Sequence, residues 1–325
     1  MGRLLPPLLA AFLSLALLPG QARAEETPAY VALGDSLAFG VGASDPVAGG
    51  YVGLAFDALR KSDRYRERGL ELVNLSVPGA TSADLLLEGG QLDAALDEIS
   101  RRQEDTSSAD DNVELISIDI GGNDLLSLAV GDSPCRSDPT SSPCAEQFAQ
   151  MLQALRGNVS ETVQRLREAA PKAGVVIVGL YNPYSGTGSE LEVPADLALQ
   201  QLNSALAAVA AEPEAGAKFA PVFDLFRGRG AQWIAADGLH PNDKGHAALA
   251  EALLAAVQDR EPVLSDDLVS EPPAATGGSD APAPPIAETA SEDGDLWLLL
   301  AVAVPAAFLS GGIITGAYFI ARGRR

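Results

Sequence analysis

The chain is poor in histidine, cysteine and cationic residues. Its 325 residues include only two histidines and two cysteines, and 22 Lys and Arg stand against 44 Asp and Glu. The formal net charge is therefore −22, and no basic stripe exists that could meet phosphates, so the sequence argues against a nucleic-acid partner. Two thiols without a nearby histidine do not make a zinc site, and we predict neither a metal site nor a cofactor.

The N-terminal residues 1–24 are predicted to be a secretory signal peptide. Arg3 precedes an apolar stretch from Leu4 to Leu18, and an A-x-A pattern ends at Ala24, where cleavage is expected. A retained membrane anchor is the alternative. It is disfavoured because about fifteen apolar residues are short for a bilayer.

A second apolar run predicts a transmembrane helix at 296–321. Residues 296–320 carry no charge, and this length suffices to cross a membrane. The basic tail at 322–325 is expected to stay cytoplasmic, which places the preceding chain outside. Residues 261–295 hold nine acidic residues, six prolines and no Lys or Arg, so we predict a disordered, extended stalk. The expected protein is exported and tethered by one C-terminal helix.

Cys135 and Cys144 lie in the segment PCRSDPTSSPC. In an exported chain these two cysteines are expected to close a small disulfide loop. The loop either forms a wall of a substrate cleft or staples a region far from substrate, and the sequence leaves both open.

The remaining segment, 25–260, is long enough for one domain with a substantial core. Apolar runs alternate with stretches of helical spacing, which predicts an α/β fold with a parallel sheet covered on both faces. Strands are expected in YVALGDS, LELVNLSV, VELISIDI and GVVIVGLY, with a shorter fifth in FAPVFDLF. Helical spacing covers 51–60, 83–99, 147–170, 195–211 and 242–257.

Polar or glycine-rich segments follow the predicted strands. In a parallel sheet of this kind, the ligand site lies outside the carboxyl ends of the strands. Ser36 ends the first run, SVPGATS follows the second, GGND follows the third, and DGLHP leads into the last helix. We expect all four segments to converge at one edge of the sheet.

A serine hydroxyl is a poor nucleophile until a base removes its proton, and the chain offers two candidates. His246 lies inside the last predicted helix and is expected to pack there, whereas His240 lies in a loop and is the better candidate base. Asp237, three residues earlier, can hold the Nδ1–H of His240 and leave Nε2 to face Ser36. Taken alone, Asp237 before Gly238 would favour an ordinary turn role.

An attacked ester carbonyl also needs fixed hydrogen-bond donors for the oxyanion that forms. Three candidates are the backbone N–H of Ser36, the backbone N–H of Gly79 and the side-chain amide of Asn123. Each also fits ordinary turn chemistry, so none is decisive alone.

Taken together, these segments resemble the SGNH or GDSL hydrolases. Four residues match the family's four blocks in order and local context: Ser36 in GDSLAFG, Gly79 in NLSVPGATS, Asn123 in GGND and His240 in DGLHP. The resemblance implies a flavodoxin-like three-layer α/β/α sandwich with roughly five parallel strands, and hydrolysis of esters or thioesters through an acyl-serine intermediate. It also implies the roles: Ser36 as nucleophile, His240 as base, Asp237 as its orienting partner, and Ser36, Gly79 and Asn123 as oxyanion donors.

Several alternatives are weaker. The α/β-hydrolase elbow needs G-x-S-x-G, but Ala38 stands two residues after Ser36. The same segment lacks the signatures of phosphate-binding loops. A carbohydrate O-deacetylase of the same fold and a non-catalytic surface binding protein stay open. The expected partner is a small-molecule, lipid or glycan ester, and the segment 181–189 is either a substrate-binding lid or a solvent-facing loop.

Overall fold

The computed structural model describes residues 27–104, 112–269 and 319–321. Five strands run parallel in one sheet: β1 Ala29–Gly34, β2 Glu71–Asn74, β3 Val113–Asp119, β4 Gly174–Val178 and β5 Ala217–Ala220. Their spatial order is β5-β4-β3-β1-β2, and a short segment β6, Phe319–Ala321, pairs antiparallel with β2. This order is the flavodoxin-like one, so the predicted fold class is confirmed.

Helices cover both faces of the sheet. They are α1 Ser36–Phe39, α2 Tyr51–Lys61, α3 Gln91–Glu104, α4 Gly122–Ser127, α5 Pro134–Ser137, α6 Ser142–Ala169, α7 Glu192–Ala210, α8 Gly230–Trp233, α9 Asp243–Val257 and α10 Asp266–Val269. α2 packs with α9 on one face, whereas α3, α6 and α7 pack in succession on the other. Single 3₁₀ turns occur at Asp84–Leu86 and Asp224–Phe226.

The central strands are buried because both sheet faces are covered. β1 is buried at every position, and β3 at all but one. This explains why these strands read as continuous apolar runs in the sequence and not as alternating ones. β1 and β3 lie side by side. The segments that follow their carboxyl ends therefore begin at a rigid part of the molecule.

Two predicted elements differ from the structure in their bounds. The strand expected in FAPVFDLF ends at Ala220, because Pro221 has no N–H to continue the ladder. The helix expected at 83–99 is a 3₁₀ turn followed by α3, because Gly89 and Gly90 interrupt the helical stretch.

The predicted signal peptide at 1–24 lies outside the described residues, as does most of the stalk at 261–295. The start of that segment packs on the domain, since Leu264 and Leu268 contact the core and Trp233 Nε1 donates to Leu268 O. The predicted membrane helix at 296–321 also lies outside, except for its last three residues, which form β6 instead of helix. Across the described ranges, no helix combines the length and apolar character that a membrane crossing needs.

Candidate active site

Residues predicted to converge meet at the carboxyl edge of the sheet. Ser36 follows β1, and its Oγ lies 2.9 Å from Nε2 of His240, which is 204 residues away in sequence. The segments after β2 and β3 also meet, because Asn123 Nδ2 donates to Ala80 O at 2.9 Å. Gly79, directly before Ala80, belongs to the same group of loops.

The conformation of the turn that carries Ser36 is fixed by Gly34, Asp35 and Gln91. Gly34 has φ +153°, and a Cβ there would lie 2.5 Å from Asp119 O, so only glycine fits. The side-chain amide of Gln91 donates to Gly34 O and accepts from Gly34 N, both at 2.8 Å. Asp35 caps α1 by accepting from Leu37 N at 3.0 Å. Ser36 is therefore the first residue of a capped helical turn, and its side chain is half-buried.

A continuous hydrogen-bond chain runs from Asp237 through His240 to Ser36. His240 Nδ1 lies 2.6 Å from Asp237 Oδ2, while Asp237 Oδ1 accepts from the backbone N–H of Leu239 and of His240 at 3.0 Å. Partial burial acts to raise the pKa of Asp237, but the hydrogen bonds from Leu239 and His240 hold it below its ordinary value. Asp237 is thus kept ionised beside the imidazole, which favours the tautomer that presents Nε2 to Ser36.

The segment 181–189 has two different halves. Residues 181–183 and Ser185 are buried, whereas 186–188 are exposed. Tyr181 donates from its hydroxyl to Leu239 O at 2.7 Å, and its ring stacks on Phe226 at 4.2 Å between centroids. The buried half therefore braces the loop of His240, a contact that neither reading of this segment from sequence anticipated.

His246 is buried in α9, as the sequence predicts. Its Nδ1 accepts from Tyr51 N at 3.2 Å, and its Nε2 lies 3.0 Å from Val41 O. Burial lowers the pKa of His246 against the opposing effect of the Val41 carbonyl. A neutral imidazole with its proton on Nε2 satisfies both contacts, so His246 ties the loop after α1 to α2 and α9.

The three candidate oxyanion donors differ in their present partners. The backbone N–H groups of Ser36 and Gly79 have no acceptor within the described residues. Gly79 is exposed at φ +86°, with open space where a Cβ would stand. The amide of Asn123 has two acceptors, Ala80 O at 2.9 Å and Asp35 Oδ2 at 3.1 Å. Its two N–H bonds are thus both used by acceptors within the protein.

Buried carboxyl groups lie directly behind the serine turn. Burial raises the pKa of Asp35 to about 7, and the charge of Asp124 adds to this against hydrogen bonds from Leu37 and Asn123. Burial and the charge of Asp35 raise the pKa of Asp119 well above its usual range. Neither carboxyl oxygen of Asp119 has a hydrogen-bond partner in the described part of the chain. Burial therefore favours the protonated form of Asp119.

A disulfide joins Cys135 and Cys144 beside the helix that carries Asn123. The two cysteines and Leu128 form a small separate core, against which three further side chains pack: Leu125, Phe148 and Met151. Leu125 belongs to α4, so the disulfide loop buttresses the helix of Asn123. Among the described residues, no group of three or more histidine, cysteine or acidic side chains is arranged to hold a metal ion.

Known proteins resemble this chain over most of its length. Residues 32–248 match the family described as the GDSL-like Lipase/Acylhydrolase family. The spore germination lipase LipC of Bacillus licheniformis is 30% identical over 233 residues, which are 70% of this chain and 95% of that protein. YpmR, an uncharacterized protein of Bacillus subtilis, is 24% identical over 246 residues, 74% of this chain and 87% of that protein. The crystal structure of the lipase Lip_vut3 from a goat rumen metagenome shares the fold, with a TM-score of 0.54 and 23% identity over 71% of this chain and 97% of that chain.

Proposed function

Because the chain belongs to the GDSL-like lipase/acylhydrolase family, we propose that it is a serine esterase that hydrolyses carboxylic esters or thioesters through an acyl-serine intermediate. The observation that carries this proposal is the hydrogen-bond chain from Asp237 through His240 to Ser36, with links of 2.6 and 2.9 Å. The similarity to the lipase LipC supports the same class of reaction.

In this mechanism Ser36 Oγ attacks the acyl carbon while His240 Nε2 takes its proton. Asp237 stabilises the imidazolium that forms and keeps the ring in place. The same imidazolium then protonates the departing alcohol or thiol. A water that gives its proton to His240 attacks the acyl-serine, and His240 returns that proton to Ser36 Oγ as the acid is released.

Three donors would stabilise the tetrahedral oxyanion: the N–H of Ser36, the N–H of Gly79 and the amide of Asn123. The two backbone donors have no acceptor in the part of the chain that the structure describes and can therefore serve a substrate oxygen at once. Asn123 must first exchange one of its two present acceptors. The bond to Asp35 Oδ2 is the longer of the two at 3.1 Å and is the one we expect to be exchanged.

The Ser36→Ala variant tests the proposal. Removing the nucleophile should lower hydrolysis of p-nitrophenyl esters by at least ~1000-fold, because the variant lacks the hydroxyl that forms the acyl intermediate. The fold should persist, since the Ser36 side chain is only half-buried. A fluorophosphonate should label the native protein at Ser36 and leave the variant unlabelled. Equal turnover by the two proteins would refute the assignment, whereas no turnover and no labelling of the native protein would favour a binding protein on this scaffold.

A substrate panel can identify the acyl and alcohol groups of the preferred substrate. p-Nitrophenyl esters of graded acyl length, acyl thioesters and acetylated oligosaccharides should be compared by kcat/KM. A preference for acetylated oligosaccharides would identify a carbohydrate O-deacetylase. A preference for long acyl esters would identify a lipase.

We further propose that the enzyme is exported, cleaved after Ala24, and displayed outside the membrane by a helix at 296–321, which requires residues 319–321 to leave their pairing with β2. The apolar runs at both ends and the basic tail at 322–325 support this arrangement. Protease treatment of intact cells should remove the domain from the surface, and the mature protein should begin at Glu25. A soluble intracellular product that retains Met1 would contradict it.

A further inference from the structure

We propose that Ser82 and Asp124 are positioning residues, which orient the Asn123 amide toward the substrate oxygen by fixing the carbonyl of Ala80. This inference rests on the proposed ester hydrolysis, because it assigns how one oxyanion donor of that reaction is aimed. Neither residue belongs to the hydrogen-bond chain of Ser36, His240 and Asp237. Their role follows from contacts between the loop after β2 and the helix after β3.

Asp124 binds Ser82 through both carboxylate oxygens. Oδ2 accepts from the backbone N–H of Ser82 at 2.9 Å, and Oδ1 accepts from its hydroxyl at 2.6 Å. Ser82 Oγ in turn accepts from Asn158 Nδ2 of α6 at 3.0 Å. Ser82 is fully buried and Asp124 nearly so. Hydrogen bonds to a buried carboxylate are short and strong, so this contact fixes the loop to α4.

These contacts close a ring that includes the oxyanion donor. Asn123 is bonded directly to Asp124 in the chain, and Ala80 lies two residues before Ser82. The carbonyl of Ala80 accepts from Asn123 Nδ2 at 2.9 Å, which completes the circuit. An amide group is planar, so fixing one N–H on Ala80 O also fixes the direction of the other. That second N–H, now on Asp35 Oδ2, is the one available to a substrate oxygen.

A preorganised donor stabilises the transition state more than one that must reorient during the reaction. Loosening the ring should therefore lower kcat and leave substrate binding nearly unchanged. The effect should pass entirely through Asn123. A general weakening of the fold would instead act whether or not Asn123 is present.

The test is a double-mutant cycle on the full-length protein with a soluble p-nitrophenyl ester. Asn123→Ala should lower kcat by on the order of 100 to 1000-fold. Ser82→Ala should lower kcat about tenfold with KM almost unchanged, the size expected when a buried hydrogen bond that aims a donor is lost. In the Asn123→Ala background, Ser82→Ala should cause no further loss of kcat.

Ser117→Ala is the matched control. Ser117 is also fully buried, and its hydroxyl bonds to that of Tyr30 at 2.8 Å, but it lies in β3 and outside the ring. The midpoint temperature of thermal unfolding should fall in this control variant as it does in Ser82→Ala, while kcat stays at the native value. Asp124→Asn, which keeps one acceptor oxygen, should reproduce the kcat loss of Ser82→Ala.

Two results would overturn the proposal: native kcat in Ser82→Ala, or the same fractional loss in both backgrounds. Failure of the proposed function looks different. In that case the unaltered protein would hydrolyse no ester on the panel, and Asn123→Ala would change nothing.

Discussion

At the scale of single residues, Asp237 is the side chain whose contacts most strongly constrain His240. One oxygen accepts from the imidazole, and the other accepts from two backbone N–H groups of the same loop. A turn role and an orienting role, which compete when the sequence is read alone, are therefore performed by different oxygens of one carboxylate. The turn sets the loop, and the loop brings the imidazole to Ser36.

Replacing Asp237 with asparagine should separate these two roles. The amide can keep the backbone contacts through its oxygen, but its NH₂ group would face Nδ1 and favour the wrong tautomer of His240. We expect kcat for a soluble ester to fall ~10⁴-fold with little loss of stability. Asp224→Asn, which alters a surface ion pair with Arg227, is the matched control and should retain native kcat. Native activity in Asp237→Asn would show that this carboxylate does not orient the base.

At the scale of secondary-structure elements, the short helix α4 is supported from two sides. The ring through Ser82 holds its first turn, and the disulfide core of Cys135 and Cys144 packs against Leu125. This contact places the disulfide next to the helix that carries Asn123. Whether the loop also forms a wall of the cleft stays the open alternative of the sequence analysis.

Replacing both Cys135 and Cys144 with alanine should lower the free energy of unfolding by about 2–3 kcal/mol, the value for a loop of this length. Urea titrations monitored by circular dichroism measure this loss. Because α4 also loses packing, kcat should fall as well, while KM changes less. Treatment of the native protein with a reductant should give the same two effects. A variant with native stability would show that the loop contributes nothing to the fold.

The sequence predicted the strands well, since each apolar run had one clear reading. It also predicted that Ser36 and His240 meet, since the chain has only two histidines, while the roles of these residues stay a prediction. It did not predict the supporting contacts. Gln91 uses its side-chain amide to bond both backbone groups of Gly34, and nothing in the local pattern marks a glutamine for that task. Tyr181 braces Leu239 from 58 residues away. Such contacts depend on which surfaces meet in the folded chain, and periodicity carries no information about that.

At the scale of the whole molecule, the buried carboxyl groups behind Ser36 link folding to pH. The folded-state pKa of Asp119 and that of Asp35 are both raised above their unfolded values by burial. The folded protein therefore binds more protons than the unfolded chain between pH 4 and at least pH 7. The stability that these groups contribute is fully present below about pH 4 and is lost as pH rises through their folded pKa values. His246 acts in the opposite sense, because its lowered pKa removes stability as pH falls.

The Asp119→Asn variant isolates the first effect. Asparagine has nearly the same shape but takes up no proton, so the variant should lose less stability than the native protein as pH rises. The free energy of unfolding of the variant minus that of the native protein should rise by more than ~1 kcal/mol between pH 5 and pH 8. Urea titrations at both pH values measure it, with Asp224→Asn as a surface control that should follow the native protein. Parallel pH profiles for native protein and Asp119→Asn would contradict the raised pKa.

The contact between Ser36 and His240 spans 204 residues, and this has a consequence for biosynthesis. A growing chain contains the serine almost from the start, yet the imidazole and the helix α9 that follows it come at the end of the folded region. Ser36 on a partial chain would have no base, and the oxyanion donors would serve no reactive group. If the protein is an esterase, its reactivity switches on only after nearly the whole domain has been synthesised and folded, so incomplete chains are inert toward the esters they meet.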